Sequence, residues 1–313
     1  MSGKPRILAI RGGAIGDFLL TLPALRLLRE TFGHCHLEIL GYRHIADLAL
    51  QGGPSVGLTY ADGVRNIEAA PLAGFFARAG NLDQQWCNYF AEFNQVVSWL
   101  FDPDKIFENN VRRAGVKNYL TAYAKISDEN HASVQLAHGL QGMALYLEDS
   151  AARLVPTEDV HRLAGEWLAG SGIVGDAKVA AIHPGSGSAK KNWPVERWVE
   201  LAKRLNETGE RLLVIGGEAD QAVLSIFEGQ IPDIPLVFAR DVPLPLLGAI
   251  LARTTRYFGH DTGVSHLAAA VGVPSTVLFG LTDPAVWAPR GDHVRIVVAP
   301  KGDLRELVVE HVM

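Results

Sequence analysis

The chain has 313 residues, 48% hydrophobic and 20% charged, with a formal net charge of −5. That length allows two ordinary domains, the composition is that of a globular protein, and the acidic balance argues against a general nucleic-acid binder. Cys35 and Cys87 are too few for a disulfide framework or a zinc site, no apolar run approaches the ~18–20 residues that span a bilayer, and no secretory signal opens the chain, so a cytoplasmic protein is expected.

Arg6 to Ile10 is a short apolar run, read as a buried first strand. Arg11-Gly12-Gly13-Ala14-Ile15-Gly16-Asp17 follows, and then an apolar helical stretch from Phe18 to Leu28. Strand, glycine-rich turn and helix open a βαβ unit. A dinucleotide fingerprint fits poorly, because Arg11 occupies the first glycine position of G-x-G-x-x-G. Glu38, the nearest candidate for the ribose-binding acid, falls inside the second strand. The turn offers a backbone open to close approach at Gly12, Gly13 and Gly16, and one carboxylate, Asp17, aimed at the mouth of the sheet. The plainer reading of Asp17 is a helix cap.

His36 to Gly41 and Gln95 to Phe101 read as further strands with helical stretches between them, the alternation of a parallel sheet covered on both faces. The segment from Pro71 to Phe93 gathers Phe75, Phe76, Trp86, Tyr89, Phe90 and Phe93. Helix packing accounts for them first, and a surface for a lipid-linked acceptor is the alternative. His131 to Leu147 has helical spacing, Pro156 interrupts it, and Glu158 to Leu168 is again amphipathic. The domain boundary is placed there, giving domains 1–155 and 156–313.

The second half restarts the pattern. A strand from Lys178 to Ile182 runs into His183-Pro184-Gly185-Ser186-Gly187-Ser188-Ala189-Lys190-Lys191-Asn192-Trp193-Pro194, and a helix from Val195 to Leu205 follows. Small residues, hydroxyls and paired lysines before a helix make a phosphate cradle, although not a Walker A loop. The next strand, Arg211 to Ile215, ends in Gly216-Gly217-Glu218, where a carboxylate can bind ribose hydroxyls. Strands at Leu236 to Ala239, Arg256 to Phe258 and Ser275 to Phe279 complete the domain, and Leu304 to Val312 reads as a final helix that could pack back on the N-terminal domain. Between the strand ending at Phe258 and an Ala-rich helix lie Asp261, Thr262, Gly263 and Val264. The last three bring open N–H groups to a helix start, where an anion is favoured. Asp261 would repel phosphate, so it suggests a polyhydroxylated group beside the phosphates; the bland reading is again a cap.

These motifs together resemble glycosyltransferase family 9, the ADP-heptose:lipopolysaccharide heptosyltransferases. The resemblance rests on Arg11 to Asp17 with Leu20-Thr21-Leu22-Pro23-Ala24-Leu25, His183-Pro184-Gly185 through Lys191-Asn192-Trp193-Pro194, Asp261 to Ala270, and Phe279-Gly280-Leu281-Thr282-Asp283-Pro284. It covers almost the whole chain and implies an α/β, GT-B fold: two Rossmann-like βα domains facing across a cleft, acceptor side first and nucleotide-sugar side second. It implies an inverting, metal-independent transferase with no cofactor, moving a sugar (heptose from ADP-heptose foremost) to a lipopolysaccharide-core or related glycolipid acceptor. By the same resemblance Asp17 is the general base, Lys191 neutralises the donor diphosphate, Glu218 holds the ribose and Asp261 the donor sugar. Ser186, Gly187, Ser188, Thr262, Gly263, Val264 and His266 complete the donor site. The implied partners are the nucleotide sugar and the glycolipid, with peripheral association at the inner face of the inner membrane. A different donor, such as a UDP- or GDP-sugar, and a non-catalytic nucleotide-sugar-binding protein are the alternatives.

Overall fold

The computed structural model describes residues 4–53, 59–186 and 192–313. The chain forms two compact units, Met1–Ser150 and Ala151–Met313.

In the first unit the elements run β1 (Arg6–Arg11), α1 (Ile15–Thr31), β2 (His36–Gly41), α2 (Arg43–Ala46), β3 (Gly63–Asn66), α3 (Gln84–Ala91), β4 (Gln95–Ser98), α4 (Ile106–Arg113), β5 (Tyr119–Thr121) and α5 (Ala132–His138). All five strands are parallel, in the order β3-β2-β1-β4-β5. A central strand of a parallel sheet is covered on both faces, which is why Ile7 to Ile10 is an unbroken apolar run with every residue buried. On one face, Leu8, Ile10 and Val96 pack with Phe75, Phe90, Phe107 and Val111.

The aromatic-rich segment folds as a short 3-10 turn (Ala70–Phe76) followed by α3. Phe75, Trp86, Tyr89, Phe90 and Phe93 are buried, while Phe76 is 46% exposed, so core packing accounts for five of the six rings. Glu38 is buried within β2. It accepts from the Tyr89 hydroxyl at 2.9 Å, from Arg6 at 3.2 Å and from Arg65 at 3.3 Å. Its carboxylate joins three adjacent strands to α3, a structural task.

The second unit runs α6 (Glu158–Gly170), β6 (Val179–His183), α7 (Val195–Glu207), β7 (Arg211–Gly216), α8 (Gln221–Gln230), β8 (Leu236–Arg240), α9 (Leu244–Leu251), β9 (Arg256–His260), α10 (Gly263–Ala270), β10 (Ser275–Phe279), α11 (Pro284–Trp287), β11 (Val294–Val298) and α12 (Val309–Val312). Its six strands are parallel, in the order β11-β10-β9-β6-β7-β8. Trp193, Trp198, Phe227 and Phe258 anchor its core. The C-terminal segment is a 3-10 turn, Leu304–Glu306, followed by α12. Leu304, Leu307, Val309 and Val312 are buried in this same core, and the Trp193 indole N–H donates to the Leu307 carbonyl at 3.0 Å.

In each sheet the first strand is central, and the chain proceeds to one side before crossing to the other. The reversal lies between β1 and β4 in the first unit and between β6 and β9 in the second. At such a point the loops leaving two neighbouring strands part in opposite directions and leave a crevice at the carboxyl edge, where α/β sheets bind ligands.

Candidate active site

Asp17 stands at the crevice of the first unit. Gly13 turns the chain with φ +95°, a left-handed conformation that glycine adopts without strain, and α1 begins two residues later. The cap position is Ala14, which has no side-chain acceptor. Asp17 supplies one instead, its Oδ2 accepting the Ala14 N–H at 3.0 Å. The capping reading is therefore realised, yet the side chain remains 44% exposed. Arg11, buried at the end of β1, donates to the Asp17 carbonyl at 3.0 Å, and its guanidinium lies 3.8 Å from Oδ1. Burial pulls the Arg11 pKa down, while the Asp17 charge and Tyr123 act in the opposite sense. On the other side of the reversal, the Trp99 N–H donates to the Ile10 carbonyl at 2.9 Å, so the loop after β4 begins beside the Asp17 turn.

In the second unit the residues that follow β6, β7, β9 and β10 stand at the carboxyl edge of the sheet. The loop after β9, Asp261 and Thr262, leads directly into α10. Thr262 is its cap residue but makes no side-chain cap, and Gly263 and Val264 precede the first N–H that bonds within the helix, that of Ser265, which donates to the Thr262 carbonyl at 3.1 Å. Their N–H groups leave the helix end at a partly exposed surface. Beside them, the Thr282 hydroxyl donates to Asp261 Oδ2 at 2.7 Å, tying the loops after β9 and β10 together.

Beneath this surface lies a buried polar network. His183 Nε2 and Asp220 Oδ2 are 3.3 Å apart, and the same carboxylate oxygen accepts the Gly217 N–H at 3.1 Å. The Thr262 hydroxyl lies 3.3 Å from His183 Nδ1. His260, fully enclosed, accepts the Trp193 N–H on Nε2 at 2.7 Å and donates from Nδ1 to the Gly185 carbonyl at 3.1 Å. That pairing fixes its neutral tautomer: a second proton would point at an N–H group. Burial holds its pKa down to about 3, the Gly185 hydrogen bond opposing and the neighbouring His183 assisting. Asp220 packs so tightly on Gly185 that a Cβ there would lie 1.8 Å from Oδ1. Only glycine fits.

The model of glycosyltransferase family 9 (heptosyltransferase) matches residues 89–313. The chain belongs to this family. It is thus a glycosyltransferase. The transferase is 22% identical to lipooligosaccharide heptosyltransferase 2 of Haemophilus influenzae, over 95% of this chain and 90% of that protein. It is 26% identical to lipopolysaccharide heptosyltransferase 3 of Escherichia coli, over 93% of this chain and 88% of the relative. The structure of E. coli heptosyltransferase WaaC with ADP superposes with a TM-score of 0.72 at 18% identity, covering 98% of this chain and 97% of that one. Two parallel-sheet α/β domains of the GT-B fold are common to both.

Within the transferase, the residues singled out from sequence fall into two groups by unit. Gly12 and Gly13 lie in the turn after β1, and Gly16 and Asp17 in the first turn of α1. Ser186, Glu218, Asp261 and Thr262 lie in the connections at the carboxyl edge of the second sheet, and Gly263 and Val264 are the first two residues of α10. His266 sits one turn into α10 and is buried. Gly187, Ser188 and Lys191 lie outside the described residues. Glu218 is exposed at the start of the Glu218–Asp220 turn, whereas Asp220, two residues on, is buried in the network. Sequence reasoning passed over Asp220, His183 and His260; the available signal was a histidine ending each of the two strands that flank the reversal. Among the described residues, no three His, Cys, Asp or Glu side chains gather to hold a metal, and no helix is long and apolar enough to cross a membrane.

Proposed function

We propose that this transferase moves heptose from ADP-heptose to a lipopolysaccharide-core or related glycolipid acceptor, inverting the anomeric centre without a metal. The observation that carries the reading is the uncapped start of α10 at the reversal of the second sheet, with Asp261 beside it. N–H groups and a helix dipole suit a diphosphate, and a carboxylate suits sugar hydroxyls. The names of the relatives support the acceptor class, and the ADP in the WaaC structure supports the nucleotide.

In this reading the second unit holds the donor and the first the acceptor, with the domains divided at about residue 155. Asp17 takes the proton from the acceptor hydroxyl as its oxygen attacks the anomeric carbon. The bond from that carbon to the diphosphate oxygen breaks, and the nucleoside diphosphate leaves from the opposite face. The leaving charge is met by the N–H groups at the start of α10 and by Lys191, while Glu218 holds the ribose. A base in the Asp17 position contributes about 10²–10⁴-fold, and fixed dipoles at the leaving group contribute without reorganising. A lipid-linked acceptor brings the protein to the inner face of the inner membrane as a peripheral partner.

The test is transfer from ADP-heptose to a lipopolysaccharide-core acceptor, with and without EDTA, for the wild type and Asp17→Ala. Transfer insensitive to EDTA and lost in Asp17→Ala, with ADP affinity kept, is the expected result. Wild-type turnover in Asp17→Ala would remove the assigned base. Preference for a UDP- or GDP-sugar would replace the donor, and nucleotide binding without any transfer would make the protein non-catalytic.

A further inference from the structure

A threonine at the start of a helix ordinarily turns its hydroxyl back to accept the N–H of the second or third helical residue. Thr262 does not. Its hydroxyl is directed instead to His183 Nδ1, 3.3 Å away, and faces the Tyr257 hydroxyl. The tautomer of His183 follows from its other contact. Nε2 lies 3.3 Å from Asp220 Oδ2, a carboxylate oxygen that only accepts, so the ring proton is on Nε2 and Nδ1 is left as an acceptor. In that contact the Thr262 hydroxyl is then the donor. Asp220 is itself held by the Gly217 N–H at 3.1 Å and has no room to withdraw against Gly185.

We propose that His183 and Asp220 are positioning residues that keep the first turn of α10 open to the donor phosphates by holding the Thr262 hydroxyl away from it. The inference rests on the reading of α10 as the donor-phosphate site. A self-capped helix would spend the Val264 N–H on the Thr262 hydroxyl, the Ser265 N–H being already bonded to the Thr262 carbonyl, and would set an oxygen lone pair where a phosphate oxygen belongs. With the hydroxyl drawn to His183, both the N–H group and the space stay with the ligand. Neither His183 nor Asp220 touches the donor in this scheme; each acts through the next. It also accounts for two ionisable groups buried beneath a phosphate site, one of them a carboxylate. The Asp220 charge is engaged by His183 and the Gly217 N–H below the surface, where it sets a tautomer.

The experiment is a titration of ADP, and of inorganic pyrophosphate as a base-free probe, into the wild type, Thr262→Val, His183→Phe and the double variant. His183→Phe keeps the volume but accepts nothing, so the Thr262 hydroxyl is released to cap the helix; affinity for both probes should fall about tenfold or more. Thr262→Val keeps the main chain through which this position meets the phosphates and has no hydroxyl to misplace, so it should bind within about twofold of the wild type. The decisive result is rescue: adding Thr262→Val to His183→Phe should return most of the lost affinity, which a merely structural role of His183 would not do. If Thr262→Val alone weakens binding as much as His183→Phe, the hydroxyl touches the donor and the proposal is overturned while the donor site stands. Additive losses in the double variant overturn it as well. Should His183→Phe fail to fold, Thr262→Val decides alone, because direct contact and diversion predict opposite results. A wild type that binds neither probe overturns the donor-site reading and this proposal together.

Discussion

The Arg11 guanidinium grips the carbonyl of Asp17 at 3.0 Å while standing 3.8 Å from its carboxylate. The last residue of the central strand thereby fixes the first turn of α1, and with it the direction of the side chain proposed as base. Arg11→Met keeps the apolar stem and removes the grip. Transfer should fall about 10- to 100-fold from misplacement alone, with ADP affinity unchanged. Arg11→Lys should recover part of the loss, since both contacts come from the single nitrogen Nη2. Steady-state kinetics beside nucleotide titration separate the two quantities; equal losses in both would refute a role confined to Asp17.

Gly13 gives a second, independent handle on the same carboxylate. A Cβ at this position would lie 2.8 Å from Asp17 Oδ2, in a backbone with φ +95°. Gly13→Ala should therefore turn the carboxylate out of place and cost about 1 kcal/mol of stability through strain. Activity should drop far more than melting temperature, by about 100-fold. An active Gly13→Ala enzyme would mean the carboxylate position is not critical.

His260 makes stability sensitive to acid. Its folded-state pKa, about 3, is depressed below the roughly 6.5 of an unfolded histidine. As pH falls below 6.5 the unfolded chain gains a proton that the folded protein refuses, so stability is lost progressively from pH 6.5 down to 3. Between pH 7.5 and 5 this one group should cost about 2 kcal/mol. Urea unfolding at the two pH values measures it. In His260→Gln, less stable throughout, that pH-dependent part should be missing.

Glu38 should matter to folding alone. Glu38→Gln weakens its bonds to Arg6, Arg65 and Tyr89 and should cost about 1–3 kcal/mol. ADP affinity and transfer rate per folded molecule should be unchanged. A specific loss of nucleotide binding would reinstate Glu38 as a ligand-binding acid.

Much of the fold was legible because central parallel strands are covered on both sides and read as apolar runs. His36 to Gly41 and Ser275 to Phe279 carry the same limits in sequence and structure. The strands that went unread, Gly63–Asn66, Tyr119–Thr121 and Val294–Val298, all lie at sheet edges, where short or half-exposed segments lose that signature. The stretch His131 to Leu147 reads as one helix but folds as α5 and a 3-10 turn ending at Ala144, which has positive φ. At the candidate site, the polar and glycine residues of the surface loops stood out in the sequence, whereas the buried groups beneath them did not. Nothing in Glu218-Ala219-Asp220 tells which carboxylate a tight turn carries inward. Pairing Asp220 with His183 and Thr262 requires three strands to be laid side by side first.

His260 bonds both the Gly185 carbonyl and the Trp193 N–H, and Ser186 bonds Asn192. The two ends of the loop after β6 are thus pinned to each other and to β9, whatever runs between them. His260 couples Gly185 and Trp193, eight positions apart in the chain, through one ring, so a change at this single residue of β9 is felt on both flanks of the β6–α7 connection at once.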